Sequence, residues 1–168
     1  MAQQIINIGT IANDTTGDTL RGAGQKINDN FTEVYTDISA LNSATAYVPT
    51  LTDSGGGRTF TATVNTARYT EIGNLRWFTV DLTVTGASGA ASGELRVSLP
   101  ATSTYSGSVE FWADNLASAA KTDIQAYIPA GANYAQLSHY ENGDAFPLAS
   151  HVNSTSRLIV TGVFFTAP

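Results

Sequence analysis

The sequence contains no cysteine, and only 13% of its 168 residues are charged. Without cysteine, a disulfide framework and a thiolate metal site are both excluded. The eight basic residues occur singly along the chain and the net charge is -6, which opposes binding to a phosphate backbone. No stretch is apolar for long enough to span a bilayer, and the N-terminus lacks the pattern of a signal peptide. We therefore expect no nucleic-acid partner, no membrane insertion and no N-terminal secretion signal.

Motifs of the common enzyme classes are also absent. The chain has no Gly-x-Ser-x-Gly elbow, no Walker loop and no dinucleotide fingerprint. His139 and His151 match no zinc-binding spacing, and we interpret them as solvent-exposed side chains in polar loops. The acidic residues that could form a glycosidase pair are also those that any acidic β-surface carries. We expect no enzyme activity, no metal and no cofactor.

What the chain does contain is a helical pattern followed by strand patterns. Its length allows one compact domain with an appendage. Residues 1–17 combine a short β-like run with a turn-rich segment and predict an N-terminal hook. Residues 18–46 predict a helix with Asp18 as its N-cap, and Pro49 lies where a helix can no longer continue. Residues 47–168 predict an all-β domain.

The apolar residues of the predicted helix repeat with a period of 3.5 residues, the pattern of a coiled coil. Polar residues fill most of the positions between them. A narrow apolar stripe needs a partner surface, and the simplest one is the same stripe of another copy. Packing of the stripe onto the chain's own β-domain is the alternative. The predicted seam consists of Leu20, Ile27, Phe31, Val34, Ile38 and Leu41.

Beyond residue 46 the pattern alternates with period two. In residues 76–85 one face is nearly all apolar, which predicts a half-buried strand, and Gly73-Asn74 before it predicts a hairpin turn. Asn142-Gly143 predicts a second such turn. Residues 157–166 are apolar on both faces, so this strand is either central or meets a neighbouring subunit. Further strands are predicted at residues 47–51, 58–64, 67–72, 94–99, 108–113, 123–128 and 134–140. The predicted fold is mainly β, an antiparallel, jelly-roll-like β-sandwich behind the hook and helix.

Residues 6–35, INIGTIANDTTGDTLRGAGQKINDNFTEVY, resemble a segment near the N-terminus of many tailed-bacteriophage virion proteins, notably fibre and baseplate-associated proteins. The shared pattern is approximately GTxxNDxTGDxLRxAxxKINxNFxExY. The resemblance implies an element for virion attachment and trimerisation, and hence a homotrimer with a trimeric coiled coil. Residues 47–100 are similar to β-sandwich modules of phage tail and prophage structural proteins. The residues expected to dock onto another virion protein are Asn13, Asp14, Gly17, Asp18, Arg21, Lys26, Asn28 and Asn30.

The predicted function is therefore that of a short trimeric tail fibre or baseplate-attached protein, made in the bacterial host cytoplasm and incorporated into the virion. One alternative is a capsid decoration or cement trimer. Another is a receptor module for a host surface glycan, because aromatic faces stack on sugar rings while amides and carboxylates hold hydroxyls. In the competing interpretation, Trp77 and Trp112 fill core or trimer contacts. The candidate glycan-binding residues are Trp77, Tyr140, Asn142 and Asp144.

Overall fold

The computed structural model describes residues 4–10, 15–41, 43–117, 124–141, 144–146 and 148–168. The chain divides into two compact units, Met1–Ser43 and Ala44–Pro168. Within the described ranges, the first unit contains helix α1 (Leu20–Leu41) and the second contains the β-strands. No helix in these ranges is long and apolar enough to cross a bilayer.

Helix α1 is capped by Thr19, so the prediction of Asp18 as its N-cap was wrong. The Thr19 hydroxyl accepts a hydrogen bond from the Gly22 amide at 3.1 Å, and the Thr19 carbonyl accepts the first helical bond, from Ala23, at 2.8 Å. The Asp18 carboxylate is instead engaged by Lys26. The helix ends at Leu41, and residues 45–46, which the sequence placed in the helical segment, form a short strand.

Among its described residues, the second unit has ten strands and one short 3₁₀ turn, Leu148–Ser150. The strands are β1 (Thr45–Ala46), β2 (Leu51–Asp53), β3 (Arg58–Ile72), β4 (Leu75–Gly89), β5 (Leu95–Ser98), β6 (Gly107–Asp114), β7 (Ile124–Ile128), β8 (Tyr134–Glu141), β9 (Asp144–Phe146) and β10 (Arg157–Phe165). Most of the predicted strands are confirmed, although residues 58–64 and 67–72 belong to one strand, β3. The strand predicted at residues 47–51 was wrong, because residues 47–50 lie between β1 and β2, and β9 and the 3₁₀ turn were not predicted.

All ten strands belong to one antiparallel sheet with the order β1-β3-β4-β10-β6-β7-β8-β5-β2, and β9 pairs with β8. Strand β2 is at one end of this order and β3 is near the other end, yet only residues 54–57 connect them. The sheet must therefore curl so that its two ends come close together. The Asp53 carboxylate holds this connection by accepting bonds from the amides of Gly55 and Arg58, each at 3.1 Å. The two facing sheets of a sandwich were predicted, but the described strands form one continuous hydrogen-bonded path.

Strand β4 confirms the predicted alternation. Its inward side chains are fully buried, while Trp77 on the other face is 51% exposed. The inward residues are Phe78, Val80, Leu82 and Val84. The hairpin between β3 and β4 is also confirmed, with Ile72 paired to Leu75 and Gly73 at a φ of 59°. The turn predicted at Asn142-Gly143 lies outside the described residues.

Strand β10 lies inside the sheet, which confirms the first of the two alternatives predicted for it, a central strand. It pairs with β4 on one side and with β6 on the other. Its inward residues Leu158, Val160 and Phe164 are buried, and the rings of Phe164 and Phe78 meet edge to face with centroids 5.9 Å apart. On the other face, Phe165 is 48% exposed. The core therefore lies on one face of the sheet, and β10 presents apolar side chains on both.

Candidate functional site

The N-terminal unit is a hook, here the described residues 4–10 and 15–19, held against one face of α1 by helix side chains. The Lys26 ammonium donates to the carbonyl of Ile5 at 3.1 Å. One turn further along the helix, the Asn30 side chain accepts from the Gln4 amide at 2.9 Å and donates to the Gln4 carbonyl at 3.1 Å. Because residues four apart share a helix face, Lys26 and Asn30 hold the beginning of the hook at two consecutive residues, Ile5 and Gln4.

Asp18 closes the base of the hook. Its carboxylate accepts from Lys26 at 2.7 Å and from the amide of Asn7 at 2.9 Å, while its own amide donates to the Asn7 carbonyl at 2.7 Å. The side-chain hydrogen bond from Lys26, followed by the backbone bond from Asn7, lowers the pKa of Asp18. The carboxylate is therefore held in its charged form as an internal link of the hook.

Gly17, in the second part of the hook, packs tightly against the first part at Asn7 and Gly9. A Cβ atom at this position would lie 3.0 Å from the Asn7 carbonyl oxygen and 3.0 Å from the Gly9 nitrogen, closer than side-chain carbons ordinarily approach. At Gly24, by contrast, a Cβ would meet nothing within 4 Å. The glycines of the segment thus serve different purposes, and within one copy of the chain Gly24 faces open space.

The structure places the predicted docking residues in two groups. Asp18, Lys26 and Asn30 make the internal bonds described above, whereas Arg21 and Asn28 are exposed on the helix. The predicted positions Asn13 and Asp14 lie outside the described residues. Asp18, Lys26 and Asn30 organise the hook, and the docking role of all the predicted residues stays a prediction.

The predicted seam forms a continuous exposed stripe on α1. The exposed fractions are 92% for Leu20, 42% for Ile27, 59% for Phe31, 37% for Val34 and 47% for Ile38. The side chain of Leu41 lies outside the described residues. Large apolar side chains exposed at helical spacing along a helix are typical of an interaction surface.

The candidate glycan-binding residues lie on different parts of the sheet. Trp77 is on β4 and Tyr140 on β8, and strands β10, β6 and β7 run between them. Asp144 starts β9, which pairs with β8, so its backbone is near that of Tyr140. Asn142 and the side chains of Tyr140 and Asp144 lie outside what the structure describes. The backbone of Trp77 is therefore four strands away from that of Tyr140 along the sheet.

The two histidines come together, which the sequence analysis did not foresee. His139 is 1% exposed, and its ring meets that of His151 edge to face with centroids 5.4 Å apart. The prediction of an exposed loop histidine was wrong for His139, because this residue shares the inward face of β8 with Ala135 and Leu137. The alternation of side chains along the predicted strand 134–140 places His139 on the same face as Ala135 and Leu137, and so could have predicted its burial. The described residues include no cluster of three acidic, histidine or cysteine side chains placed to hold a metal.

Comparison with known proteins places this architecture among phage proteins. The family model described as "Bacteriophage T4 gp9/10-like protein, N-terminal" matches residues 3–118, well over half of the chain. The structure of the Dettilon tailspike protein (gp208) is similar with a TM-score of 0.61 and 18% sequence identity, covering 73% of this chain. The match spans 23% of the tailspike chain, and at this identity the likeness concerns the fold. No curated protein matches the sequence significantly.

Proposed function

We propose that this chain, which belongs to the bacteriophage T4 gp9/10-like family, is a short trimeric tail fibre or baseplate-attached protein docked through its N-terminal segment. Membership of this family makes it a phage tail structural protein and a component of the virion. The role we propose is mechanical and not catalytic: the N-terminal unit attaches and gathers the chains, and the β-units project from it.

The observation that carries the proposal is the exposed seam of α1. Ile27, Phe31, Val34 and Ile38 repeat at coiled-coil spacing and leave between 37% and 59% of their surface exposed. Burying an apolar side chain of this size contributes about 1.5–3 kcal/mol, before the cost of ordering is subtracted. A trimeric coiled coil would bury the whole stripe on all three chains at once.

The hook supports docking through the N-terminal segment. With its backbone bonded to Lys26 and Asn30, it directs Ile5 and Ile8 outward, and these side chains are 77% and 90% exposed. Leu20 at the start of the helix is 92% exposed. The polar residues of the motif thus shape the hook, while its apolar side chains remain available for a partner. The predicted docking residues are polar or glycine and do not include Ile5 and Ile8.

Two measurements test the proposal. Light scattering on the full chain should give the mass of three chains at micromolar concentration, and the mass of one chain would contradict the trimer. Electron microscopy of the phage particle, with the protein labelled, should place it on the tail or baseplate. Density on the capsid shell would contradict the tail assignment and favour a capsid decoration role.

A further inference from the structure

The outward face of the sheet carries a cluster of exposed apolar side chains at the hairpin end of β4. Trp77 on β4 is the register partner of Val163 on β10, and Leu75 is the partner of Phe165. Directly paired residues of neighbouring strands point to the same face. Trp77 and Phe165 are 51% and 48% exposed, so about half of each large side chain is left in water.

Two more exposed residues extend this cluster. Ile72 pairs with Leu75 across the hairpin and is 59% exposed, and Tyr105 is 66% exposed. The Tyr105 ring meets that of Phe165 edge to face, with centroids 6.4 Å apart. We call Ile72, Trp77, Tyr105, Val163 and Phe165 the aromatic patch. Single exposed apolar residues are ordinary, but a contiguous group of this kind marks an interaction surface.

The core does not require the aromatic patch. The opposite face of the same two strands already supplies the buried core residues, including Phe78 and Phe164. Further along the outward face, the next row consists of Thr79, Thr161 and Glu110, which are polar. This polar row separates the aromatic patch from Trp112, an exposed residue further along the same face that pairs with Ile159.

The end of the face that carries the aromatic patch is also where the chain enters the β-unit. Strand β1 pairs Thr45 with Tyr69 and Ala46 with Arg68, and Tyr69 is in turn the register partner of Phe78, next to Trp77. Two strand spacings separate β1 from β4, which is roughly 10 Å. The patch thus begins close to the point at which the chain from the helix arrives.

Covalent geometry limits how far this entry point lies from the helix. Leu41 and Thr45 are four residues apart, and a chain of that length spans at most about 14 Å. Helices packed in a bundle lie about 8–10 Å apart. When three seams associate, this short connection tethers the three β-units to one bundle and raises their local concentration.

We propose that the aromatic patch packs against a second copy of this chain, forming a contact between β-units in addition to the helical seam. The inference rests on the proposed trimer and adds to it a contact surface outside the helix. The occupant is another copy because the patch lies at the tethered end of the β-unit, where the local concentration of copies is highest.

The chain contains two tryptophans, which provide a direct probe. In a Trp112→Phe background, Trp77 is the remaining tryptophan and reports from inside the patch. We expect its acrylamide quenching constant in the full-length trimer to be at least about twofold lower than in a monomeric Phe31→Asp version of the same chain, with emission shifted to shorter wavelength, since half of Trp77 is exposed in one copy.

Substitutions supply the second arm. Phe165→Ser should raise the trimer dissociation constant by about tenfold or more, because aromatic side chains at the centre of an interface dominate its affinity. The matched control is Trp112→Ser, which removes an equally exposed aromatic residue (50%) from the same face, at the other end of β6, and should leave the constant within about threefold. Circular dichroism verifies that both variants retain the β-structure.

The outcomes separate the two proposals. A full-length chain that is monomeric overturns the proposed trimer, and the patch contact with it. A trimer in which Trp77 is quenched as strongly as in the Phe31→Asp chain, or in which Phe165→Ser and Trp112→Ser behave alike, overturns the patch contact and leaves the helical trimer standing. In that case the patch is open to a different partner, such as a glycan.

Discussion

The ammonium group of Lys26 lies 2.7 Å from the carboxylate of Asp18, eight residues earlier in the chain. The two side chains are 30% and 22% exposed, so the pair is partly shielded from solvent. The same ammonium reaches the Ile5 carbonyl at 3.1 Å. One lysine thereby joins the helix to both the beginning and the end of the hook, which gives a structural reason for charged residues in a segment that otherwise resembles a coiled coil.

Replacing Lys26 should raise the pKa of Asp18. The hydrogen bond from Lys26 lowers that pKa, so we expect it to rise towards the ordinary carboxyl value in Lys26→Met. A two-dimensional NMR titration of the side-chain carboxyl measures it. Gln25→Met, on the neighbouring helix position, is the control and should leave the pKa of Asp18 unchanged. Equal pKa values in Lys26→Met and the wild type would contradict the structural role of the pair.

The same pair predicts how the hook responds to acid. Because the pKa of Asp18 is lower in the folded unit than in the unfolded chain, its stabilisation is present above the ordinary carboxyl pKa and is lost as the pH falls through the folded value. Hydrogen exchange at the Asn7 amide, which donates to this carboxylate, should be relatively less protected at low pH. Protection that is independent of pH after correction for intrinsic exchange would be incompatible with this account.

Asp53→Asn should destabilise the β-unit by about 1–3 kcal/mol, since the amide group cannot accept all the backbone bonds that the carboxylate accepts. Asp53 is 6% exposed and receives bonds from the amides of Gly55, Arg58 and Ser92 at 3.0–3.1 Å. Urea unfolding measures the loss, with the exposed Glu110→Gln as control. A loss no larger than that of the control would show that the connection between β2 and β3 does not depend on this carboxylate.

The Asp53 contribution also depends on pH. Burial raises the pKa of Asp53, but the backbone hydrogen bonds from Ser92, Gly55, Arg58 and Gly57 together outweigh burial and lower it. The wild type should therefore hold its advantage over Asp53→Asn above the ordinary carboxyl pKa and lose it as the pH falls through the folded value. Urea unfolding of both proteins at several pH values tests this expectation.

Gly162→Ala should cost about 1–3 kcal/mol of unfolding free energy through overpacking. A Cβ at this buried position in β10 would lie 2.6 Å from the Ser108 carbonyl oxygen and 2.8 Å from the Phe78 ring. Thr161→Ala, at the neighbouring position on the outward face, should cost less than about 1 kcal/mol. Similar unfolding free energies for the two variants would mean that β10 does not approach β6 and Phe78 as closely as described.

Phe31→Asp should dissociate the proposed trimer, because it places a charge in the centre of the seam. Light scattering should then show the mass of one 17.6 kDa chain. Thr36→Asp carries the same charge on an exposed helix position outside the seam and should remain trimeric. If both variants stay trimeric, the seam does not hold the chains together.

Much of the β-unit follows from local patterns. The alternation in residues 76–85 identifies the inward face of β4 because side chains of a strand point alternately to opposite sides, and all its apolar inward residues are buried. Gly73 marks the hairpin because a tight turn needs positive φ. By contrast, Thr19 and not Asp18 caps the helix, because Lys26 and the Asn7 amide both bind the Asp18 carboxylate and keep it from the helix amides. No local sequence rule predicts these contacts.

Local patterns in the sequence predicted most of the helix and strand positions, the apolar residues of each repeat, and the family that the N-terminal segment resembles. Only the three-dimensional contacts show that the strands form one curled sheet in which β10 pairs with β4 and β6, that Lys26 and Asn30 hold the hook, and that His139 is buried. The physical reason is distance along the chain. Periodicity and turn propensity act between neighbouring residues, whereas these features depend on contacts between residues further apart in the chain, such as that of Lys26 with Ile5 or the pairing of Phe165 with Leu75.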